Sequence, residues 1–171
     1  RPVVDLLFLL EFRVAGTHPF LYHLTNLLLH TGNALLTLLL LRRVPGVPAW
    51  GAFAGAALFA LHPLQVESVL WVAARPAMWA VLFGLLATLA TLAAREAAGV
   101  KRVGMLLAAW LCFALSLGSK EIAVVFGIAT AMLLAHPYAR NTPGRGAVRL
   151  VVGGHLALLV AYLVHVRGTV D

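Results

Sequence analysis

The sequence predicts an all-α, polytopic transmembrane helix bundle. Two observations carry this reading. The 171-residue chain is 62% hydrophobic and 11% charged, where a soluble domain carries about 25% charged residues. The apolar residues also run in long blocks, such as Phe20–Leu41, Pro76–Ala94 and Leu150–Val166. Backbone within lipid must close its own hydrogen bonds, which leaves helices or closed barrels. Leu and Ala dominate the blocks and both favour helix. The alternating segments of a transmembrane barrel are missing.

The elements follow in order as one transmembrane unit over residues 1–171. Residues 3–15 are apolar but interrupted by Asp5, Glu11 and Arg13. They are too short and too charged to cross about 30 Å of hydrocarbon, and read as an interfacial or re-entrant helix ending near Gly16. A first span over 20–41 stops at Arg42-Arg43, before the turn Val44-Pro45-Gly46-Val47-Pro48. The second span, 49–61, carries Gly51 and Gly55 four apart, which suits close helix contact. His62-Pro63 ends it, because the residue before proline is steered out of helix.

A mixed segment, 64–74, holds Gln65, Glu67 and Trp71. Arg75-Pro76 opens the third span, 76–94, with proline at a tolerated first position. Arg95-Glu96 and Lys101-Arg102 bracket a polar turn before the fourth span, 103–117. Gly118-Ser119-Lys120-Glu121 forms the next turn. The fifth span, 122–135, ends at His136-Pro137, a loop occupies 138–148, and the sixth span covers 150–166. Trp50, Trp71, Trp79 and Trp110 sit near span ends or connections, as interfacial anchors do. The chain opens on Arg1-Pro2 without an initiator Met or a signal n-region, so it reads as a piece of a longer protein.

The formal charge of +7 comes from thirteen Lys/Arg and six Asp/Glu. The basic residues occupy short links without interleaved aromatics, which points to membrane topology and excludes a nucleic-acid partner. Arg42, Arg43, Arg95, Lys101, Arg102, Arg140, Arg145 and Arg149 fall on one side of the alternating spans. That excess marks the cytoplasmic side. Arg1, Arg13, Arg75, Lys120 and Arg167 fall on the other, with Asp5, Glu11, Glu67, Glu121 and Asp171. The outer face is therefore mixed in charge.

Several polar residues need a reason to be where they are. His23, Asn26, His30 and Asn33 recur every three or four residues, on one helix stripe. Polar groups in hydrocarbon must be paired, so the stripe is either interhelical glue or the wall of a cavity. His62, Glu67 and Arg75 follow within fourteen residues at the outer end. They suit either an internal ion-pair network or a polar headgroup, since guanidinium grips phosphate in two-pronged fashion. Lys120-Glu121 reads either as a phosphate contact or as an acid favouring the next helix start. Cys112 is alone in an apolar block and suits packing. No nucleotide loop, HExxH motif or serine-nucleophile elbow occurs, and no Cys/His cluster suits zinc.

These polar residues also carry a resemblance. Pro19-Phe20-x-Tyr22-His23-Leu24-Thr25-Asn26-x-x-x-His30, then Leu58-Phe59-Ala60-Leu61-His62-Pro63-x-x-x-Glu67-Ser68-Val69-x-Trp71-x-x-x-Arg75, then Ser119-Lys120-Glu121, resemble the signatures of TMTC-like membrane glycosyltransferases. That family lies in the wider GT-C superfamily, with the protein O-mannosyltransferases. Order and spacing match over roughly residues 1–136. Two positions depart: Ala77 stands where the family often has an acid two residues after the arginine, and Gln65 where it often has histidine.

The resemblance implies a GT-C-like bundle in a bacterial inner membrane or the endoplasmic reticulum membrane. It implies transfer of a hexose such as mannose from a polyprenyl-phosphate donor to a protein or glycan acceptor, on the periplasmic or luminal side. His62, Glu67, Arg75, Lys120 and Glu121 would line the donor cavity, with His23, Asn26 and His30 near the headgroup or shaping its wall. The catalytic base would come from an acid in an outer loop upstream of Arg1. Some GT-C enzymes use a divalent metal and others none, and no residue cluster here decides between them. A transporter and a noncatalytic scaffold remain the competing readings. Against the transporter, no internal repeat is visible and the ionisable residues sit mainly at the outer ends of spans.

Overall fold

The computed structural model describes residues 2–135 and 145–167. The expected span end at His136-Pro137, residues 138–144 of the expected loop, Arg1, and 168–171 at the close lie outside the described residues. The described residues are helical with no strand among them: α1 (Pro2–Ala15), α2 (Pro19–Leu41), α3 (Ala49–Leu61), α4 (Gln65–Leu70), α5 (Arg75–Glu96), α6 (Gly99–Ser119), α7 (Val124–Ala135) and α8 (Arg145–Arg167). Single 3-10 turns at Val72–Ala74 and Glu121–Ala123 lead into α5 and α7.

Three helical stretches are long and apolar enough to cross a membrane: Pro19–Leu41, Val72–Glu96 and Gly99–Ser119. They make the chain an integral membrane protein. Ala49–Leu61, Glu121–Ala135 and Leu150–Val164 are apolar but shorter. At 1.5 Å per residue, the 13 residues of α3 rise about 20 Å. Of the six spans read from sequence, three coincide with these long stretches and three with the shorter apolar ones. Two boundaries also move. The polar turn before α6 shrinks to Ala97-Ala98, and α6 begins at Gly99, whose φ of +53° is open to glycine. The last helix is described from Arg145, ahead of the expected 150.

Side-chain contacts fix the directions. Asn33 of α2 donates to the Met78 carbonyl of α5 at 3.1 Å, and Asn26 meets Arg75 nearer both helix starts, so α2 and α5 run the same way. Ser116 of α6 donates to the Ala80 carbonyl at 2.6 Å, while Leu106 clusters with Ala94, so α5 and α6 are antiparallel. Thr88 and Thr130 share a 2.9 Å hydrogen bond that aligns α7 with α5. Val151 packs beside Leu106, and His155 stacks on Phe113, so α8 follows α6. Polar side chains at helix contacts are the usual glue where apolar surfaces gain nothing by leaving lipid. Of the small residues in α3, Gly55 meets Leu41 of α2, whereas Gly51 faces the Val47-Pro48 turn.

One end of the bundle therefore gathers the starts of α2, α5 and α7 with the ends of α3, α6 and α8. α1 lies across that end. It turns Val4 and Ala15 inward and leaves Leu6, Leu9, Leu10 and Phe12 more than half exposed. Val3 presses on Gly118 at the end of α6, where a Cβ would stand 2.7 Å from it. Gly16 closes the helix at a φ of +54°, a conformation that favours glycine. Arg42, Arg43, Arg95, Lys101 and Arg102 collect at the opposite end.

Candidate functional site

Arg75 is the hub of the α1 end. It is the first residue of α5, follows the Val72–Ala74 turn, and is 2% exposed. Its Nε donates to Asn26 Oδ1 at 2.7 Å, Nη2 to the Tyr22 carbonyl at 2.6 Å, and Nη1 to the Glu11 carboxylate. The rings of Phe8 and Tyr22 lie 5.0 and 5.5 Å from the guanidinium carbon, within cation–π range. A buried charge needs a counter-charge and a full set of acceptors, and α1 and α2 supply both.

Asn26, 0% exposed, extends the network to the next connection. Its Nδ2 donates to the Val69 carbonyl at 3.0 Å and reaches the Trp71 carbonyl at 3.5 Å. One carboxamide thus ties α2 to the end of α4, the start of the 3-10 turn and the guanidinium. Tyr22 contributes twice, since its hydroxyl donates to the Gly16 carbonyl at 2.9 Å. His30 Nε2 lies 3.0 Å from the Ala60 carbonyl, bonding α2 to α3, and its ring stacks on Phe59.

The stripe read from sequence therefore divides. Asn26, His30 and Asn33 bond across helix interfaces, whereas His23 is exposed. His62 lies exposed on the α3–α4 connection, and Glu67 lies exposed in the first turn of α4. The His62 Nδ1 accepts from the Leu64 amide at 3.2 Å, and the turn is held locally. Lys120 is half-buried between α6 and the Glu121–Ala123 turn, with Glu121 exposed beside it. Since Ser116 sits on Ala80, the antiparallel register puts Lys120 level with Pro76, next to Arg75. Arg75 and Asn26 come together, and His62, Glu67, Lys120 and Glu121 lie at the same end of the bundle. Among the described residues no three His, Cys, Asp or Glu side chains converge as a metal set.

The sequence reading missed Glu11. It took this acid as an interruption in an interfacial helix, yet Glu11 is the ion-pair partner of Arg75. The signal was present in the spacing: Val4, Phe8, Glu11 and Ala15 recur at three or four residues and form the bundle-facing stripe of α1. Glu11 Oε1 is buried without a partner among the described residues, so half of this carboxylate is left unsatisfied. The arrangement sets a chemical condition. An anion gains the Arg75 guanidinium only by displacing Glu11, while the Lys120 ammonium is nearer the surface.

Comparison with known proteins adds a relation over half the chain. No family model matches, and no solved structure does. Over 89 residues, 52% of this chain, it is 37% identical to Protein O-mannosyl-transferase tmtc2 of Xenopus laevis. Over 89 residues it is 36% identical to Protein O-mannosyl-transferase TMTC2 of Mus musculus and of Homo sapiens. The chain spans about a tenth of the length of these curated relatives. Over that region the chain is related to the TMTC protein O-mannosyl-transferases.

Proposed function

We propose that this chain forms part of a membrane glycosyltransferase that moves a hexose from a polyprenyl-phosphate carrier to a protein or glycan acceptor. The sugar is mannose, the one carried in the relatives' names. The observation that supports this most is the gathering of His62, Glu67, Arg75, Lys120 and Glu121 at one end of an apolar bundle, opposite the Arg42, Arg43, Arg95, Lys101 and Arg102 end. A cationic end faces the cytoplasm, which turns the α1 end to the periplasm or lumen.

In this reaction the acceptor hydroxyl oxygen attacks the anomeric carbon. The bond from that carbon to the phosphate oxygen breaks, polyprenyl phosphate leaves, and the hydroxyl proton passes to a base. By the resemblance, that base is a carboxylate from an outer loop beyond these residues. Lys120, more exposed than Arg75, would offset the charge on the leaving phosphate, which is electrostatic stabilisation where charge develops. Arg75 is a positioning residue: its donors are committed to Glu11, Asn26 and Tyr22, and through Asn26 it is tied to α4, the helix that carries Glu67.

The test is transfer from a polyprenyl-phosphate hexose by the full-length protein. Lys120→Ala lowers kcat on the order of 10²-fold, the cost of losing one charge-stabilising group, with the melting temperature unchanged. Lys120→Arg retains part of the rate. Turnover unaffected by Lys120→Ala would overturn the assignment.

A further inference from the structure

The basic end of the bundle carries more positive charge than its fold uses. Arg42 and Arg43 follow α2, Arg95 closes α5, and Lys101 and Arg102 open α6. Arg145 and Arg149 lie in the first two turns of α8, at the same end. Among the described residues, Glu96 is the one acid placed with these cations.

Ion pairing within the chain does not account for them. The Arg42, Arg43 and Lys101 side chains are exposed and have no partner among the described residues. Arg102 is half-buried. Its Nε donates to the Ala97 carbonyl at 2.8 Å, which fixes the guanidinium at the short α5–α6 connection. Its two Nη groups have no partner among the described residues, and such a pair can grip a phosphate. Nor do Lys101 and Arg102 favour their own helix, because a helix start prefers acids and the first turn of α6 has none.

Depth identifies the partner. The 21 residues of α6 rise about 32 Å, which matches a hydrocarbon layer about 30 Å thick. The start of α6 therefore lies among the headgroups of one leaflet. From there Val103, Leu107 and Leu111, each more than half exposed, form an apolar stripe at helical spacing that runs into the hydrocarbon. Gly104 beside it has open space around it. Unpaired cations at the head of a lipid-facing stripe complement a negative headgroup with acyl chains attached. We infer that this end binds an anionic phospholipid of the surrounding leaflet, its phosphate drawn to Lys101 and the Arg102 Nη groups and its chains lying along the α6 stripe. Arg42 and Arg43 add attraction at the same surface. The site is at the opposite end of the bundle from Lys120.

Native mass spectrometry of the full-length protein in detergent tests this, with phosphatidylglycerol and phosphatidylcholine of identical acyl chains as the probes. Phosphatidylglycerol is expected to be retained about tenfold more strongly, and the preference is expected to shrink as added ammonium acetate screens the charges. Lys101→Gln is expected to weaken phosphatidylglycerol retention about fivefold, while Lys101→Arg keeps it. Arg13→Gln removes an exposed cation at the α1 end and is expected to change nothing. Basic residues also set membrane orientation, so the salt series on the wild-type protein reads the same attraction without a substitution. Excess glycerol phosphate is expected to leave the lipid bound, because it lacks the chains. Equal retention of the two lipids, a preference that salt does not alter, displacement by glycerol phosphate, or a loss in Arg13→Gln equal to that in Lys101→Gln would each overturn the inference.

Discussion

Asn26 accepts a hydrogen bond from Arg75 at 2.7 Å, across 49 positions of sequence and between two helices that start at the same end of the bundle. Around that bond, α1, α2, α4 and α5 are held together by one carboxamide, one guanidinium and one carboxylate. The outer connection between α3 and α5 takes its place from this network rather than from apolar packing, since no residue of α4 is buried.

Asn26→Leu is therefore expected to cost more than an ordinary polar deletion. It leaves the Arg75 Nε–H and the Val69 carbonyl without their partner at once. Each such loss is worth about 1–3 kcal/mol. Thermal unfolding in detergent should show a clear drop for Asn26→Leu, a smaller one for Asn33→Leu, which breaks a single bond to Met78, and no measurable change for the exposed His23→Leu.

Glu11→Ala removes the counter-charge of a buried guanidinium, a change that costs about 3–5 kcal/mol when a buried pair is broken. The loss should be local first, because α1 spans the bundle end and is tied on by Glu11 and by the Val3–Gly118 contact. Hydrogen exchange over 2–15 should rise several-fold before the α5–α6 core responds. Arg75→Lys should not restore the wild-type pattern, since ammonium cannot serve Asn26, Tyr22 and Glu11 with guanidinium geometry. Equal exchange in wild type and Glu11→Ala would remove Glu11 from this role.

Gly84→Leu is expected to separate α5 from α7. A Cβ at Gly84 would run into the Phe126 ring, and the Thr88–Thr130 bond sits one turn further along. Overpacking of this kind costs about 1–3 kcal/mol. Paired cysteines at 88 and 130 should crosslink readily in an otherwise wild-type protein and poorly in the Gly84→Leu background.

The sequence by itself determined the class of the protein and the order of its helices. Long Leu/Ala blocks leave little choice when every buried backbone group must be bonded within its own segment. Prolines at 19 and 76, and the Gly16 stop, mark helix starts and ends through local sterics, which are legible one residue at a time. Charge alternation likewise separated a basic end from a mixed one.

What only the tertiary structure decided is which polar residues meet. Helical spacing put His23 and Asn26 on one stripe of α2, but whether either is buried depends on where α4 and α5 pack, and of the two only Asn26 is enclosed. Glu11 and Arg75 are 64 residues apart, with no periodicity to connect them. Their pairing follows from laying a short helix across the end of a bundle, a long-range placement in which burial forces the guanidinium to find its carboxylate. Crossing length was decided the same way: α3 is apolar enough to read as a span, yet Pro48 before it and His62-Pro63 after it set it at 13 residues.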